Sequence, residues 1–161
     1  MRPVYPEARI IVVADGLSNP SSGVTGLMAD HSDDDLLAAA RQAGERAYAP
    51  YSGWHVGAAV VFAEIAGHHV GANVENGSYG LTICAERSAI FAAVVAGGRR
   101  LTRVAITCRD GKGALVAKIA PCGACLQVIA EFGGPDTSIL IDGRGSFRLA
   151  DFLPRPFEFT P

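Results

Sequence analysis

The chain has 161 residues and a formal net charge of −2, and 49% of its residues are apolar. This is the length of about one domain, with enough apolar residues to bury a core. The charge excludes the strongly basic surface that follows a phosphate backbone, and no apolar run approaches the roughly 18 residues of a membrane span. We therefore expect neither a nucleic acid nor a membrane as partner.

The first 31 residues differ in composition from the rest. They mix Gly, Ser, Asn and Pro with one short apolar patch at residues 10–14. That patch is too short for the apolar core of a signal peptide and stops at Asp15. We predict an N-terminal extension over residues 1–31, partly flexible, and a single domain over residues 32–161.

A helix is predicted directly after this extension. Ser32 and Asp35 approximate a capping box, in which each residue bonds to the other's backbone. Apolar residues then recur at helical spacing as far as Tyr48, and Pro50 supplies a stop. The sequence therefore predicts a helix that fills most of residues 33–49.

The remaining elements follow from apolar periodicity and from Gly and Pro punctuation. We predict strands over residues 56–65, 69–74 with a turn at Gly67, 103–108, 138–141 and 146–149, and a short extended piece over 116–120. We predict helices from Ile83 to Gly97-Gly98 and over residues 123–132. This order of elements favours a three-layer α/β domain with a mixed sheet.

Two segments combine cysteine with the expected start of a helix. They read Cys84-Ala85-Glu86-Arg87 and Pro121-Cys122-Gly123-Ala124-Cys125. Residues three apart on a helix point the same way, so Cys122 and Cys125 face one site. We predict that the thiolates of Cys84, Cys122 and Cys125 bind one Zn²⁺. The fourth position is left to water, as in catalytic rather than structural zinc sites.

Other interpretations of the cysteines remain open. Free cysteines are often simply buried, and Cys-x-x-Cys can be a redox pair. Cys108, at the end of an apolar strand, is predicted to pack in the core; as a fourth ligand it would close the site and make it structural. Thiols in metal-like spacing favour a reducing, cytoplasmic location over a disulfide scaffold.

Two charged residues flank the predicted metal. Glu86 is predicted to take a proton from metal-activated water and return it to the substrate, although a glutamate early in a helix also favours the helix dipole. Three thiolates around one Zn²⁺ leave a formal charge of −1, which makes bound water harder to deprotonate. We expect the two helix N-termini and Arg87 to offset this charge; the alternative for Arg87 is an ordinary surface ion pair.

These motifs, with residues 47–59 and 73–80, resemble the cytidine deaminase family, more closely its small homotetrameric form. The resemblance covers about residues 33–158 and implies an α-β-α sandwich with about five strands. It implies hydrolytic deamination of cytidine and deoxycytidine to uridine and deoxyuridine, in pyrimidine salvage. Zinc-bound hydroxide would attack C4 while Glu86 moves a proton to N3 and then to the departing ammonia.

The resemblance also assigns substrate contacts. Asn73 and Glu75 match an Asn-x-Glu pair that holds the ribose 3′-hydroxyl, and alternate residues of a strand do share a face. The backbone N–H of Ala85 is expected near O2 of the base, and Trp54 and Val56 are expected to border the ring. On residue types alone, Asn73 and Glu75 would be a polar strand edge.

Three further residues match positions that reach the pocket of a neighbouring subunit. They are Gly77, Tyr79 and Phe157. The resemblance therefore implies a homotetramer with shared active sites, in which a monomer is nearly inactive. Without it, core packing would be the preferred interpretation of Tyr79 and Phe157.

Two departures from the family pattern bear on the substrate. Trp54-His55 stands where Phe-Pro is usual, and Leu126 stands where a basic residue is usual. A deaminase of another cytosine nucleoside, such as blasticidin S, is therefore the alternative enzyme. Editing of polynucleotides fits less well because a basic groove is lacking. A zinc-stabilised module without catalysis is the alternative outside enzymes.

Overall fold

A computed structural model describes residues 31–159. The predicted extension over residues 1–31 lies outside the described residues, apart from His31. The elements in chain order are α1 (Asp33–Gly44), β1 (His55–Phe62), β2 (His69–Ala72), α2 (Ala85–Val95), β3 (Leu101–Arg109), α3 (Gly123–Phe132), β4 (Ser138–Ile141), β5 (Gly145–Arg148) and α4 (Leu149–Phe152). None of the helices within residues 31–159 has the length and apolarity that a membrane crossing needs.

The five strands form one mixed sheet in the order β2-β1-β3-β4-β5. β1 pairs antiparallel with β2 and with β3, and β3 pairs parallel with β4. β4 then pairs antiparallel with β5. The parallel pair needs a crossover, which α3 provides. The predicted mixed sheet of about five strands is confirmed.

The helices cover both faces of the sheet. Leu36 and Ala40 of α1 pack on one face against Ala59, Ala105 and Leu140. The larger core lies on the other face, where α2, α3 and α4 pack on side chains of β1, β3 and β4. Its largest fully buried members include Phe62, Ile90, Ile106, Ile129 and Ile139. The α-β-α layering is therefore also confirmed.

α1 begins as predicted but ends early. Ser32 Oγ accepts the N–H of Asp35 at 3.1 Å, and the Asp35 carboxylate accepts the N–H of Ser32 at 3.2 Å, so the capping box is present. The helix ends at Gly44, whereas the apolar pattern predicted helix to Tyr48. Tyr48 instead forms a β-bridge with Val74, a pairing distant in sequence that overrides the local helical pattern.

Several strand boundaries also differ from the predictions. β1 ends at Phe62 rather than Ile65, because residues 63–67 form the turn into β2. β2 ends at Ala72, and residues 116–120 form no strand. Leu149 does not end β5 but opens α4, where Asp151 accepts the N–H of Arg148 at 2.8 Å and caps the helix.

Candidate active site

Both predicted metal-bearing helices begin at a cysteine. Cys84 caps α2 and Cys122 caps α3, each with an extended backbone conformation. α2 and α3 contact each other on the same face of the sheet. Two helix N-termini, each with a partial positive charge, therefore face one site.

The sulfur atoms of Cys84, Cys122 and Cys125 all lie within 4.8 Å of one another. Cys84 Sγ and Cys122 Sγ are 3.8 Å apart. A tetrahedral zinc with Zn–S bonds of about 2.3 Å separates neighbouring sulfurs by about 3.8 Å, so this arrangement fits Zn²⁺. The predicted convergence of the three cysteines is confirmed.

Cys108 is not a member of this group. Among residues 31–159, the three cysteines are the one cluster of potential ligands close enough to hold a metal. Cys108 is fully buried at the end of β3, and burial raises the pKa of its thiol. This matches the predicted core position and leaves the metal three protein ligands.

Arg87 contacts one thiol of the cluster. Its Nη2 donates to Cys84 Sγ at 3.5 Å and to the carbonyl of Thr82 at 3.2 Å. A hydrogen bond from the Cys125 thiol, with Arg87 second among the stabilising contacts, lowers the pKa of Cys84. These contacts favour the thiolate of Cys84, the form that binds a metal.

Glu86 is buried beside the thiols without joining them. Only 4% of its surface is exposed, although it lies in the first turn of α2. Burial, with a smaller contribution from the Cys84 thiolate, raises the pKa of Glu86 to about 7. A carboxyl group with this pKa can both accept and donate a proton near neutral pH.

A pocket of about 240 Å³ opens onto Glu86 and onto Cys84 and Cys122 of the metal cluster. It is lined by Ser52, Trp54, Val56, Asn73, Thr82, Cys84, Glu86, Ile106, Cys108, Ile119, Ala120 and Cys122. Apolar walls with a few convergent polar groups are typical of small-molecule sites. The structure thus brings the predicted residues Trp54, Val56 and Asn73 to the metal cluster.

Asn73 holds the chain at the start of β1. Its Nδ2 donates to the carbonyl of Trp54 and its Oδ1 accepts the N–H of Val56, both at 2.9 Å. An asparagine side chain offers two donors and two acceptor lone pairs, so one of each remains for a ligand. Asn73 can therefore shape the pocket wall and bind within it.

Glu75 lies in an adjoining hollow that shares Ser52 and Thr82 with the pocket. One of its oxygens accepts the backbone N–H groups of Tyr51 at 2.9 Å and Ser52 at 3.2 Å. The other accepts the Ser52 hydroxyl. The Ser52 hydroxyl, followed by these N–H groups, lowers the pKa of Glu75, so the group is a carboxylate at neutral pH.

The residues predicted to serve a neighbouring subunit lie on the surface. Tyr79 and Phe157 are each 74% exposed, so the alternative of core packing is wrong for both. Gly77 lies against Tyr51, whose ring meets that of Tyr79 edge-on with centroids 5.9 Å apart. Neither Phe157 nor Tyr79 lines the pocket at Glu86, but Tyr79 lines the adjoining hollow that holds Glu75.

Sequence reasoning missed two polar residues. Ser52 touches both Glu75 and the N–H of Trp54, and Gln127 exchanges two hydrogen bonds with the backbone of Phe157, at 2.9 and 3.1 Å. Ser52 and Glu75 lie 23 residues apart, and Gln127 and Phe157 lie 30 apart, so spacing carries no signal for either of these pairs. Leu126, one of the two departures, is buried in the core beside α2.

Comparison with known proteins places this site in a family. Residues 30–141 match the family model described as the cytidine and deoxycytidylate deaminase zinc-binding region. The chain is 46% identical over 120 residues to the cytidine deaminase of Mycobacterium tuberculosis, covering 73% of this chain and 84% of that one. It is 43% identical over 107 residues to the cytidine deaminase of Halalkalibacterium halodurans, covering 66% of this chain and 76% of that one.

Solved structures agree with the sequence relatives. The crystal structure of the Mycobacterium tuberculosis cytidine deaminase superposes with a TM-score of 0.68 at 41% identity, covering 81% of this chain and 100% of that chain. That of Burkholderia pseudomallei superposes with a TM-score of 0.70 at 39% identity, covering 79% and 100%. The chain therefore belongs to the zinc-binding cytidine and deoxycytidylate deaminase family.

Proposed function

We propose that this chain catalyses the zinc-dependent hydrolytic deamination of cytidine and deoxycytidine to uridine and deoxyuridine. The observation that carries the proposal is the position of buried Glu86 beside three convergent thiols, at the wall of one small pocket. The relatives at 43–46% identity, which are named cytidine deaminases, support the choice of substrate.

Cys84, Cys122 and Cys125 would hold the metal. Bound zinc supplies Lewis acidity that makes water a stronger nucleophile near neutral pH. Arg87 and the N-termini of α2 and α3 offset the negative charge of the thiolates, which would otherwise weaken this effect. The absence of a fourth ligand among the described residues leaves room for water.

Glu86 moves the protons. It accepts a proton from the attacking water and passes it to N3 of the cytosine ring as the C4–O bond forms. It then takes the second proton from the new C4 hydroxyl and passes it to the amino group, which leaves as ammonia when the C4–N bond breaks. A carboxyl group whose pKa lies near 7 can take part in each direction of this transfer. General acid/base catalysis of this kind contributes about 10²–10⁴-fold to the rate.

The other pocket residues bind and orient the nucleoside. Trp54 and Val56 border the base, and the backbone N–H of Ala85 at the start of α2 points a donor at its O2 carbonyl. Asn73 and Glu75 hold the ribose, since an amide and a carboxylate can bind a hydroxyl as donor and acceptor. Support comes from the pocket lining, which includes Trp54, Val56 and Asn73, and from Ser52, which lines both this pocket and the hollow that holds Glu75.

We infer a homotetramer in which Gly77, Tyr79 and Phe157 of one subunit reach the pocket of another. The exposure of both aromatic rings supports this, because large exposed apolar side chains are typical of interaction surfaces. The pocket of the single chain, about 240 Å³, lies below the usual range for ligand sites, about 300–1,000 Å³. A partner's side chains would extend its walls.

The cellular role follows from the same chemistry. The domain over residues 32–161 would act in pyrimidine salvage, which returns cytosine nucleosides to the uracil series. We place it in the cytoplasm because the metal cluster needs reduced thiols, and all four cysteines are free.

Blasticidin S is the second candidate substrate, and Trp54 is the observation that favours it. The indole is 48% exposed at the pocket, where the family usually has a smaller phenylalanine. A larger ring can change the width of the pocket and the ligand that stacks on it. The reaction would remain deamination of a cytosine ring.

A spectrophotometric assay with cytidine, deoxycytidine and blasticidin S in parallel tests the proposal, with zinc measured in the same samples. We expect turnover of the first two and about one zinc per subunit. Turnover of blasticidin S alone would reassign the substrate. Bound zinc without turnover of any of the three would contradict the proposal and favour a non-catalytic zinc module.

A further inference from the structure

In the loop before β1, the hydroxyl group of Ser52 connects Trp54, which lines the pocket, to Glu75, which lines the adjoining hollow. Ser52 Oγ donates to the Glu75 carboxylate and accepts the N–H of Trp54 at 3.0 Å. A hydroxyl can do both, since it has one donor and two acceptor lone pairs. The bonds form a relay from the Trp54 backbone through Ser52 to the carboxylate of Glu75.

The same peptide segment is held from its other side. Asn73 Nδ2 donates to the carbonyl of Trp54 at 2.9 Å, so both polar groups of the Trp54 backbone are fixed. Asn73 is buried, with 7% of its surface exposed, whereas Ser52 and Trp54 are exposed. The Trp54 backbone is therefore held by two side chains, of which Ser52 is exposed and Asn73 is buried.

We propose that Ser52 is a positioning residue that couples the sugar-binding Glu75 to the base-stacking Trp54. This inference rests on the proposed function, which assigns those two roles. Ser52 holds the carboxylate of Glu75 in one rotamer. Through its bond to the Trp54 backbone, it also fixes the position of the indole at the pocket. A nucleoside then meets a preorganised site and does not have to order it on binding.

The expected effect is on substrate binding rather than on chemistry. Loss of a hydrogen bond to a charged group corresponds to roughly a ten- to hundredfold change in an equilibrium. We expect Ser52→Ala to raise KM for cytidine by this factor and to leave kcat within about threefold, since Glu86 and the thiols are untouched. Ser52→Thr keeps the hydroxyl and should restore KM.

A double-mutant cycle separates coupling from general damage. Ser52→Ala and Glu75→Ala should each raise KM, and the double variant should raise it no further than the larger single change, because both remove one contact. Ser146→Ala, a serine on the distant strand β5, is the matched control and should leave KM unchanged. Independent, multiplying effects of the two changes would overturn the coupling.

A second measurement needs no substrate. Trp54 is the sole tryptophan of the chain, so tryptophan emission reports on this position alone. We expect Ser52→Ala to lower the steady-state anisotropy of Trp54 in the zinc-loaded protein, and Ser52→Thr and Ser146→Ala to leave it unchanged. The melting temperature and zinc content of each variant are measured alongside, to test that its fold is intact.

The outcomes distinguish this inference from the proposed function. Wild-type protein that fails to deaminate cytidine contradicts the proposed function, and the anisotropy still decides whether Ser52 holds Trp54. Wild-type protein that deaminates cytidine, with Ser52→Ala unchanged in both KM and anisotropy, overturns the role of Ser52 alone.

Discussion

Among single residues, Arg87 illustrates how a side chain outside the predicted ligand set can favour the ionised form of a ligand. Its guanidinium reaches Cys84 Sγ while a second contact to the Thr82 carbonyl fixes its orientation. The same bond raises the pKa of Arg87, because each charged group stabilises the other. The pair therefore favours the thiolate that zinc requires.

We expect Arg87→Gln to weaken zinc binding by about ten- to hundredfold, the usual effect of losing a partner of a metal ligand. Competition with a chelator at neutral pH measures the affinity. Arg87→Lys keeps the charge but not the planar set of donors, so its zinc affinity should lie between those of wild type and Arg87→Gln. Arg100→Gln, an exposed arginine paired with Glu64, is the control, and equal zinc affinity in all four proteins would contradict the role of Arg87.

The residues of the metal site were predictable because their spacing is short and their chemistry is narrow. Cys122 and Cys125 lie one helical turn apart, and Cys84 precedes Glu86 by two residues, so local geometry alone constrains them. Ser52 gave no such signal. Its partner Glu75 lies 23 residues away, and only the fold brings the two together.

On the scale of elements, α1 is attached to the sheet by a charged contact. Arg41 donates to both oxygens of Asp142, at 2.8 and 2.6 Å, and Thr107 Oγ1 donates to the same carboxylate at 2.7 Å. Asp142 is 3% exposed, and the bond from Arg41, followed by that from Thr107, lowers its pKa. The contact joins the first helix to β3 and to the end of β4.

This contact should make stability depend on pH. A carboxyl group whose folded-state pKa is lowered stabilises the protein above its unfolded pKa, about 3.9, and that contribution is lost as the pH falls through the folded value. We expect Asp142→Asn to lower the free energy of unfolding, measured by urea denaturation, by about 1–3 kcal/mol at pH 7. The difference from wild type should be smaller at pH 3.

Asp136→Asn, at an exposed carboxylate, is the matched control and should follow the wild type at both pH values. Zinc loss in acid affects all of these proteins alike, so the difference between them is the quantity to compare. A deficit that is the same at pH 7 and pH 3 would contradict the ionic contribution.

α2 depends on a glycine of the strand beneath it. A Cβ at Gly71 would lie 2.4 Å from the backbone nitrogen of Ala89 and 2.7 Å from the carbonyl oxygen of Ala85. Both atoms belong to α2, whose N-terminus carries Cys84. An added methyl group must therefore push the metal-bearing helix away from β2.

We expect Gly71→Ala to lower the free energy of unfolding by at least about 1–3 kcal/mol, as overpacking does, and to reduce zinc retention. Thermal unfolding and metal analysis measure the two effects. At Gly134 a Cβ meets nothing within 4 Å, so Gly134→Ala is the control. A Gly71→Ala protein with wild-type melting temperature and zinc content would show that α2 does not rest on this contact.

The longer elements were predictable from apolar period, but the short helix α4 and several element ends were not. The capping box at Ser32 is local, and it placed the start of α1 correctly. The end of α1 is decided by the bridge between Tyr48 and Val74, which lie 26 positions apart. Local patterns therefore predict where a helix can begin, and distant pairing decides where it stops.

Viewed as a whole molecule, the chain presents apolar side chains that its own fold does not bury. Among residues 31–159, the large apolar side chains that are at least half exposed are those of Tyr51, Val74, Tyr79, Leu81, Val95, Phe157 and Phe159. Gln127 fixes the backbone at Phe157 while leaving the ring outside, so the aromatic ring is held in place without a partner in its own pocket. This is the arrangement that a site shared between subunits needs.

A mixing experiment tests the sharing. We expect Glu86→Gln and Phe157→Ala to be nearly inactive as separate assemblies, the first for lack of its proton carrier and the second for lack of an aromatic wall. After subunits exchange, some sites combine Glu86 of one subunit with Phe157 of another, and activity should return. Mass measurement of mixed assemblies confirms exchange, and exchange without any gain in activity would contradict the shared site.

The most direct test of the chemistry is a comparison of Glu86→Gln with wild type for cytidine turnover and zinc content. The amide keeps the size of the side chain but cannot carry the proton, so we predict full zinc content with kcat lowered by about 10²–10⁴-fold or more. Glu131→Gln, the same change at an exposed position on α3, should match wild type in both. Near-normal turnover by zinc-loaded Glu86→Gln would contradict the role of Glu86 and with it the proposed mechanism.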